Sequence, residues 1–418
     1  MKIAFIAQPT DPVVPPKQNS IGIVIYEIAR RLSNEKSVTI YASRNRNPKK
    51  IKEFNGVKFR YFSTDFDYRL IGLLDYRISK LNQLTNSKVS FFSWSLYYFA
   101  YILKIAIDLK KRKFDIVHVA NFSQFIPIIK ILNPEIKIVM HMHCEWLTQL
   151  PKPTIRRRIK KTDMVIGCSE FITNKIRESF PFAKSKCHTL YNGVDIDLFY
   201  PQKRDHNFEN KDLLKLLFVG RGSPEKGVHV LLDAMKMVKN HVPDFQLQIV
   251  GSFGSTAPKA FIVTLSEDPK VQDLDPHFGG DYSSYLKNKI SSELSHHVKL
   301  AGIVSHEETA NKFRDADVFI FPSVWNEPFG MPVIEAMACN VPVVATKSGG
   351  ITELVEDGET GLLVERGNAE QLSEAVIRLL ENKQLRNTMG KAGRLRALEN
   401  FTWDIAARNL LELYQSLS

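Results

Sequence analysis

The sequence predicts an α/β protein with two doubly wound, Rossmann-like domains. Short apolar runs alternate with amphipathic helical segments along most of the chain, and this alternation occurs in two separate series. The length of 418 residues also favours two domains over one, because single domains usually span roughly 100–200 residues.

The first series lies in residues 1–198, the predicted N-terminal domain. Its apolar runs are short enough for strands buried on both faces of a parallel sheet, at residues 2–8, 38–42, 115–120, 136–142 and 164–168. Helical spacing of apolar residues occurs from Ile23 to Leu32 and from Ser169 to Phe180.

The second series lies in residues 213–402, the predicted C-terminal domain. Its apolar runs predict strands at residues 214–219, 245–250, 298–300, 317–321, 342–345 and 361–364. Residues 199–212 are polar over most of their length and form the predicted linker. Residues 252–285 are rich in glycine and proline, which is typical of a functional loop or a mobile insertion.

Residues 89–107 form an aromatic segment whose first fifteen residues carry no charge. The apolar length falls short of the roughly 20 residues that a membrane-spanning helix needs, and serines and tyrosines are frequent. We therefore favour a buried or interfacial helix over a membrane span. A helix at the headgroup level of a membrane and a core helix of the N-terminal domain remain equally open.

Positive charge is concentrated in the first half of the chain. The net charge is +12, and residues 1–200 hold 33 Lys and Arg against 16 Asp and Glu. Basic clusters lie at residues 44–52, 110–113 and 156–161. Each cluster alone is typical of a solvated face, but three in one domain favour contact with an anionic membrane surface. No nucleic-acid partner is expected, because no nucleic-acid-binding module is recognisable.

The cysteines and the N-terminal residues favour a cytoplasmic protein. Cys144, Cys168, Cys187 and Cys339 are far apart and form no CxxC pair, so neither a zinc site nor a disulfide framework is indicated. The apolar run within residues 1–7 is too short for a signal peptide and is typical of a buried strand. We expect reduced thiols and no secretion.

One segment combines a buried strand, a loop and a helix start with two carboxylates. The apolar run 317–321 is followed by a loop, and a helix is predicted from near Met331. Gly330 permits close backbone approach, and the start of a helix favours an anion. Glu327 and Glu335 can both face one crevice and accept hydrogen bonds from sugar hydroxyls. Surface charge is the alternative interpretation, which the apolar surroundings disfavour.

A second strand–loop–helix segment carries two cations between glycines. It spans residues 217–227, and Arg221 and Lys226 are its basic residues. The glycines would let a phosphate approach the backbone. The segment has neither P-loop nor GxGxxG spacing, so it is weak evidence alone. Together with the two-glutamate segment it predicts a site that clamps a diphosphate.

These segments resemble those of glycosyltransferase family 4, whose members are retaining enzymes with the GT-B fold. The resemblance implies two Rossmann-like domains facing across a cleft. The resemblance covers nearly the whole chain. The family's paired glutamates match Glu327 and Glu335, and its basic pair matches Arg221 and Lys226. Weaker matches follow in the family's order at residues 191–195, 250–252, 342–345, 349–353, 358–364 and 401–403. In similar proteins the last helix, here 403–418, packs back on the N-terminal domain.

The resemblance implies a nucleotide-sugar site in the C-terminal domain. Arg221 and Lys226 would neutralise the diphosphate and favour its departure. Glu335 would hold the ribose, and Glu327 would lie beside the hydroxyls of the transferred sugar. The other implied donor contacts are Gly251, Ile303, Val304, Phe329, Gly330 and Met331. A UDP- or GDP-sugar is the implied donor, and no metal or other cofactor is expected because side chains supply the positive charge.

Two contacts are implied in the N-terminal domain. Similar proteins often have two glycines in the first strand–helix loop, where the backbone meets the phosphate or the acceptor. Here Gly22 is the only glycine of that loop and is the expected donor contact. Similar proteins also place a histidine near the 6-position of the sugar. His141 and His143 share one face by strand alternation, and we favour His143 because it lies at the end of the strand. His118 either lines the cleft or is a core histidine.

The expected function is transfer of a sugar, with retention, to a glycan, lipid-linked or small glycoside acceptor in cell-surface polysaccharide or glycoconjugate synthesis. A sugar-nucleotide epimerase of the same fold would need a general acid–base set that the sequence does not offer. The N-terminal loop signature of a glucan synthase is also absent. A nucleotide-sugar-binding protein without catalysis is the remaining alternative. It is disfavoured because a protein that only binds has less need of the four charged residues Arg221, Lys226, Glu327 and Glu335.

Overall fold

The computed structural model describes residues 1–16, 18–47, 51–74, 92, 94–202, 213–253 and 258–417. The chain forms two compact units, and the first combines Met1–Tyr191 with Trp403–Ser418. The second unit is Asn192–Thr402, so the boundary follows Tyr191 instead of residue 198. Most of the predicted linker, residues 203–212, lies outside the described residues.

The first unit contains an eight-stranded sheet. Its strands are β1 (Lys2–Ile6), β2 (Ser37–Ser43), β3 (Glu53–Phe54), β4 (Val57–Phe62), β5 (Ile116–Ala120), β6 (Lys137–Met142), β7 (Met164–Gly167) and β8 (Cys187–Thr189). The strand order is β3-β4-β2-β1-β5-β6-β7-β8. All neighbours are parallel except the β3–β4 hairpin. The five predicted strands of this unit are present, and β3, β4 and β8 are additional.

The helices described in the first unit are α1 (Ser20–Leu32), α2 (65–74), α3 (Phe99–Arg112), α4 (Ile126–Leu132), α5 (Trp146–Gln149), α6 (Lys152–Ile159) and α7 (Glu170–Ser179). The last helix of the chain, Trp403–Gln415, also belongs to this unit. It packs against α1, where Arg31 Nε donates to Asp404 Oδ1 at 2.7 Å. The predicted return of the chain's end to the first unit is therefore present.

The aromatic segment 89–107 contributes a core helix. Residues 89–91 and 93 lie outside the described residues, and α3 starts at Phe99. Tyr101, Ile102 and Ile105 on α3 are fully buried, as the core interpretation requires. In the described part of the chain, no helix combines the length and the apolar character that crossing a bilayer requires.

The basic cluster at residues 156–161 is not wholly a surface feature. Arg156 and Arg157 are exposed, but Arg158 is 2% exposed because it shares the inner face of α6 with Ile155 and Ile159. Its guanidinium donates to the Ser123 hydroxyl at 3.1 Å. Burial lowers the pKa of Arg158 to about 10. Only the exposed members of this cluster are available to an anionic surface.

The second unit contains a six-stranded, fully parallel sheet. Its strands are β9 (Leu214–Val219), β10 (Phe245–Val250), β11 (Val298–Gly302), β12 (Val318–Phe321), β13 (Val343–Thr346) and β14 (Gly361–Val364), in the order β11-β10-β9-β12-β13-β14. All six match the predicted strands. Counted within the unit, the order is 3-2-1-4-5-6, which is typical of Rossmann-like sheets.

The longer helices of the second unit are α8 (Val228–His241), α12 (Tyr282–Glu293), α13 (His306–Asp315), α14 (Met331–Ala338), α16 (Ala369–Glu381) and α17 (Lys383–Asn400). The shorter ones are α9 (Lys259–Ile262), α10 (Pro269–Gln272), α11 (Asp275–Phe278) and α15 (Ile351–Leu354). The helix Trp403–Gln415, which belongs to the first unit, is α18. The core joins the sheet to α8 and α16. The glycine- and proline-rich segment 252–285 holds α9, α10 and α11, apart from residues 254–257, which are not described.

The docking of α18 rests on a buried tryptophan and can be tested by removing it. Trp403 is 1% exposed, and a tryptophan-to-alanine change in a core typically costs about 3–5 kcal/mol. We expect Trp403→Ala to lower the midpoint of the calorimetric transition that contains the first unit. Leu395→Ala, at a residue 58% exposed, is the control and should leave it nearly unchanged. Equal midpoints for the two variants would contradict the buried docking of α18.

Candidate functional site

The two charged segments lie at the point where the sheet of the second unit reverses its order. The chain runs outward from β9 to β11 and then returns to place β12 beside β9. Loops leaving the carboxyl ends of two such strands diverge and leave a crevice where ligands commonly bind. The loop after β9 carries Arg221 and Lys226, and the loop after β12 carries Glu327.

The loops after β9 and β12 are fastened directly to each other. The backbone carbonyl of Glu225 accepts hydrogen bonds from Val324 N at 2.9 Å and from Ser323 Oγ at 3.1 Å. Gly227 has a φ of +70°, and a Cβ there would lie 1.9 Å from the Pro322 carbonyl oxygen. Only glycine permits this approach, so the contact fixes the spacing between the two loops.

Lys226 and Glu327 form a largely buried ion pair between these loops. Lys226 Nζ lies 2.6 Å from Glu327 Oε1, and the two side chains are 14% and 5% exposed. The ammonium also lies 5.1 Å from the Trp325 ring centroid and 5.7 Å from that of Phe321. The aromatic rings and the carboxylate orient the cation, and burial strengthens each of these interactions.

The second cation, Arg221, is held by a buried glutamate. Arg221 Nη2 lies 3.2 Å from Glu225 Oε1, and the arginine side chain is 46% exposed. Glu225 is fully buried, and its Oε1 also accepts from the Ser223 hydroxyl at 2.6 Å. The guanidinium therefore has one fixed partner and an exposed side that can meet an anion.

The backbone of Glu327 is held from the side of β13. Gly350 N donates to the Glu327 carbonyl at 2.8 Å. A Cβ at Gly349 would lie 2.3 Å from the same carbonyl oxygen, and the φ of Gly349 is +48°. The carboxylate also accepts from the Ser323 hydroxyl. Glu327 is consequently fixed at its backbone and at its carboxylate.

Glu335 lies on α14, whose start also belongs to the site. It is 6% exposed, and its Oε1 is 3.1 Å from His306 Nε2 at the start of α13. Gly330 precedes α14 with a φ of +109°, and a Cβ there would lie 2.3 Å from Ile351 Cδ1. Phe329 and Met331 flank this glycine and are buried.

The predicted base-binding residues lie at the ends of β10 and β11. A Cβ at Gly251 would lie 1.9 Å from the Gly220 carbonyl oxygen, and Gly251 N donates to Gly302 O at 2.8 Å. Ile303 is 80% exposed, although it is a large apolar residue, and Val304 is half-buried. The carboxyl ends of β9, β10 and β11 therefore lie close together, and the apolar side chain of Ile303 is exposed beside them.

The segment that holds the short helices α9, α10 and α11 contacts Asn326, the residue just before Glu327. Asp268 caps α10, and its Oδ2 accepts from Asn326 Nδ2 at 2.9 Å and from Arg366 Nη1 at 2.6 Å. Trp325 packs on a small apolar cluster that includes Val271. This segment therefore rests against the β12–α14 loop and restrains it.

Gly22 lies in the first unit, in the first turn of α1. Its N–H donates to Asn19 Oδ1, the helix N-cap, at 2.8 Å. A Cβ at Gly22 would lie 2.1 Å from the Pro12 carbonyl oxygen. The close approach of the preceding loop explains the glycine, and its amide hydrogen is engaged in the cap.

His143 lies just after β6 in the first unit. Its N–H donates to Asn121 Oδ1 at 2.7 Å, and its ring centroid is 4.1 Å from that of His141, so the two rings share one side as predicted. Burial lowers the pKa of His143 to about 4, which keeps the ring neutral near pH 7. His118 is a core histidine, 2% exposed.

Three residues that shape the site were not singled out from the sequence. Glu225 and Ser323 join the two loops, and His306 contacts Glu335. Glu225 lies between Arg221 and Lys226 in the sequence, and this position of an acidic residue could have pointed to its role. The contacts of Ser323 and His306 depend on distant parts of the chain, which no local pattern shows. Within the described residues, no group of three or more His, Cys, Asp or Glu side chains could hold a metal ion.

Comparison with known proteins identifies the family. The model of glycosyl transferases group 1 matches residues 200–396, and the model of glycosyltransferase family 4 matches residues 21–198. Spore coat protein SA of Bacillus subtilis (strain 168) is 24% identical, over 99% of each chain. The lipopolysaccharide 1,2-N-acetylglucosaminetransferase of Salmonella typhimurium is 26% identical, over 98% of this chain and 97% of that protein.

Solved structures show the same fold. The crystal structure of HepE from Anabaena, in complex with UDP and glucose, has a TM-score of 0.72 and 20% identity, over 100% of each chain. Its likeness concerns the fold, and the two matched family models together cover nearly the whole chain. The chain belongs to glycosyltransferase family 4 and has the GT-B fold.

Proposed function

We propose that this glycosyltransferase moves a sugar, with retention of configuration, from a UDP- or GDP-sugar to a hydroxyl of a glycan, lipid-linked or small glycoside acceptor. The contact between Lys226 and Glu327 carries the proposal, because it brings a cation suited to phosphate beside a carboxylate suited to hydroxyls. The name of the Salmonella relative supports a place in cell-surface polysaccharide or glycoconjugate synthesis. The UDP and UDP-glucose complexes of HepE make uridine donors the first to test.

The donor lies over the crevice of the second unit. Arg221 and Lys226 bind its diphosphate, and the helix start at Met331 adds backbone N–H groups. Glu335 accepts hydrogen bonds from the ribose hydroxyls, with His306 fixing the carboxylate. The remaining donor contacts are Gly251, Ile303 and Val304 at the base and Phe329 and Gly330 near the sugar.

The reaction takes place at the anomeric carbon of the donor sugar. The acceptor oxygen attacks from the face that the diphosphate leaves, so the bond to the phosphate oxygen breaks as the bond to the acceptor oxygen forms. The acceptor's proton passes to the leaving phosphate oxygen. Arg221 and Lys226 stabilise the charge that develops there without a metal ion, Glu327 fixes the sugar hydroxyls, and His143 contacts the 6-position.

The proposed location is the cytoplasm, with peripheral attachment to the inner face of an anionic membrane. A groove of about 600 Å³ in the first unit is lined by exposed cations of α6 and by aromatic residues. Arg156, Arg157 and Lys160 are among these cations, and Arg156 lies 5.2 Å from the ring centroid of the exposed Phe182. Cations beside an exposed aromatic ring suit the headgroup level of such a membrane.

Glu327→Gln tests the role of the carboxylate. We expect turnover to fall on the order of a hundredfold, because the amide cannot hold the sugar hydroxyls as the carboxylate does. Affinity for UDP, measured by calorimetry, should stay the same or rise, because Lys226 loses its anionic partner. Glu359→Gln, at an exposed residue, is the control. Parallel losses of turnover and UDP binding would contradict the assigned role.

A thermal-shift screen with UDP, GDP, ADP and their sugar conjugates tests the donor site. At about a hundred times Kd, a selective ligand should stabilise the protein by about 2.7 kcal/mol and raise the melting temperature by several degrees. The shift should persist in EDTA and shrink in Arg221→Gln but not in Arg378→Gln, a matched change at an exposed residue. A shift abolished by EDTA would refute metal-independent binding.

Vesicle co-sedimentation tests the membrane proposal. Each basic residue at an anionic surface contributes about 1 kcal/mol, so Arg156→Gln with Arg157→Gln should weaken binding more than tenfold. The vesicles contain phosphatidylcholine with or without phosphatidylglycerol. Lys299→Gln with Lys391→Gln removes the same charge from exposed residues of the second unit as a control. Identical binding of both double variants would assign the α6 cluster to a solvated face.

A further inference from the structure

A line of buried rings connects the last helix of the chain to His143. The Tyr414 hydroxyl on α18 lies 2.7 Å from His118 Nδ1 on β5. His118 Nε2 lies 3.1 Å from His141 Nδ1 on β6. The His141 ring then packs on the His143 ring, with centroids 4.1 Å apart. All four residues belong to the first unit, and the nucleotide site of the second unit contains none of them.

The three histidines of this line are neutral near pH 7. Tyr414, His118 and His141 are 0%, 2% and 1% exposed. Burial lowers the pKa of His118 to about 3 and that of His141 well below its ordinary value. A neutral imidazole carries one N–H, so each ring has one donor nitrogen and one acceptor nitrogen. His118 uses both nitrogens, whereas Nε2 of His141 and Nε2 of His143 are buried with no hydrogen-bond partner among the described residues.

The two hydrogen bonds couple the tautomers of His118 and His141. Among the described residues, His118 Nδ1 is the one hydrogen-bond partner of the Tyr414 hydroxyl, and His141 Nε2 is buried with no partner. If His118 carries its hydrogen on Nε2, it donates to His141 Nδ1 and both rings carry the hydrogen on Nε2; if His118 carries it on Nδ1, His141 donates from Nδ1 and both rings carry it there. Loss of either hydrogen bond of His118 therefore releases this coupling.

We propose that Tyr414 and His118 are positioning residues for His143: their hydrogen bonds fix the orientation of His141 and tie its tautomer to that of His118, and the ring of His141 packs against His143. The inference rests on the proposed contact of His143 with the sugar. Asn121 holds the backbone of His143 at 2.7 Å, and the ring of His141 supplies the restraint on its side chain. In this way α18 reaches a residue that contacts substrate without approaching substrate itself.

Tyr414→Phe tests the inference by removing one hydroxyl. Tyr101→Phe is the matched control, because Tyr101 is equally buried and its hydroxyl has no hydrogen-bond partner among the described residues. Long-range ¹H–¹⁵N spectra of histidine-labelled protein should show a single tautomer of His118 in the wild type and the same tautomer in the control. In Tyr414→Phe a mixture of the two tautomers should appear. An unchanged His118 spectrum would overturn the proposal.

The reactivity of His143 toward diethyl pyrocarbonate, followed by mass spectrometry, reports the restraint on its ring without any donor. We expect it to rise about threefold or more in Tyr414→Phe and in His118→Gln, and to stay at the wild-type rate in Tyr101→Phe. Wild-type reactivity of His143 in both Tyr414→Phe and His118→Gln would overturn the positioning role. Full turnover of His143→Ala would instead refute the proposed sugar contact, so the two failures are distinguishable.

Discussion

The close contact between the loops after β9 and β12 is the constraint on which the candidate site depends. Gly227 lies against the Pro322 carbonyl, and the Glu225 carbonyl is hydrogen-bonded to Val324. These contacts join two segments about a hundred residues apart in the chain and determine that Lys226 meets Glu327. A looser junction would leave the carboxylate buried without its cation, a state that costs several kcal/mol.

The cations of the site are oriented before any ligand arrives. Arg221 is paired with Glu225, and Lys226 is paired with Glu327. The conformational entropy of these long side chains is already lost on folding, so the diphosphate of the proposed donor would meet groups that need little rearrangement. The same pairing offsets part of their positive charge, and the exposed side of Arg221 remains for the anion. The fixed positions of Arg221 and Lys226, more than their net charge, distinguish this site from the basic face of α6.

Buried strands and the charged segments could be predicted from the sequence, because short apolar runs and glycine-bounded charges are local patterns. All six strands of the second unit and the placement of Arg221, Lys226 and Glu327 on two loops follow from them. Strand β4, which lies between β2 and the short β3, alternates buried and exposed residues only from Val57 to Phe59 and was missed among the aromatic residues around it. Arg158 was counted with a surface cluster, since its burial depends on the face of α6 that packs inward. The contact of His306 with Glu335 joins separate helices and leaves no local signal.

The position of α18 has a consequence for how the protein is made. The helix that completes the first unit, with the buried Trp403 and Tyr414, is synthesised only after the whole second unit. Domains generally fold in the order in which they are synthesised. Here the N-terminal unit remains incomplete, with the surface of α1 and Nδ1 of His118 uncovered, until α18 has been synthesised. The second unit, Asn192–Thr402, has all its residues available earlier and can be complete first.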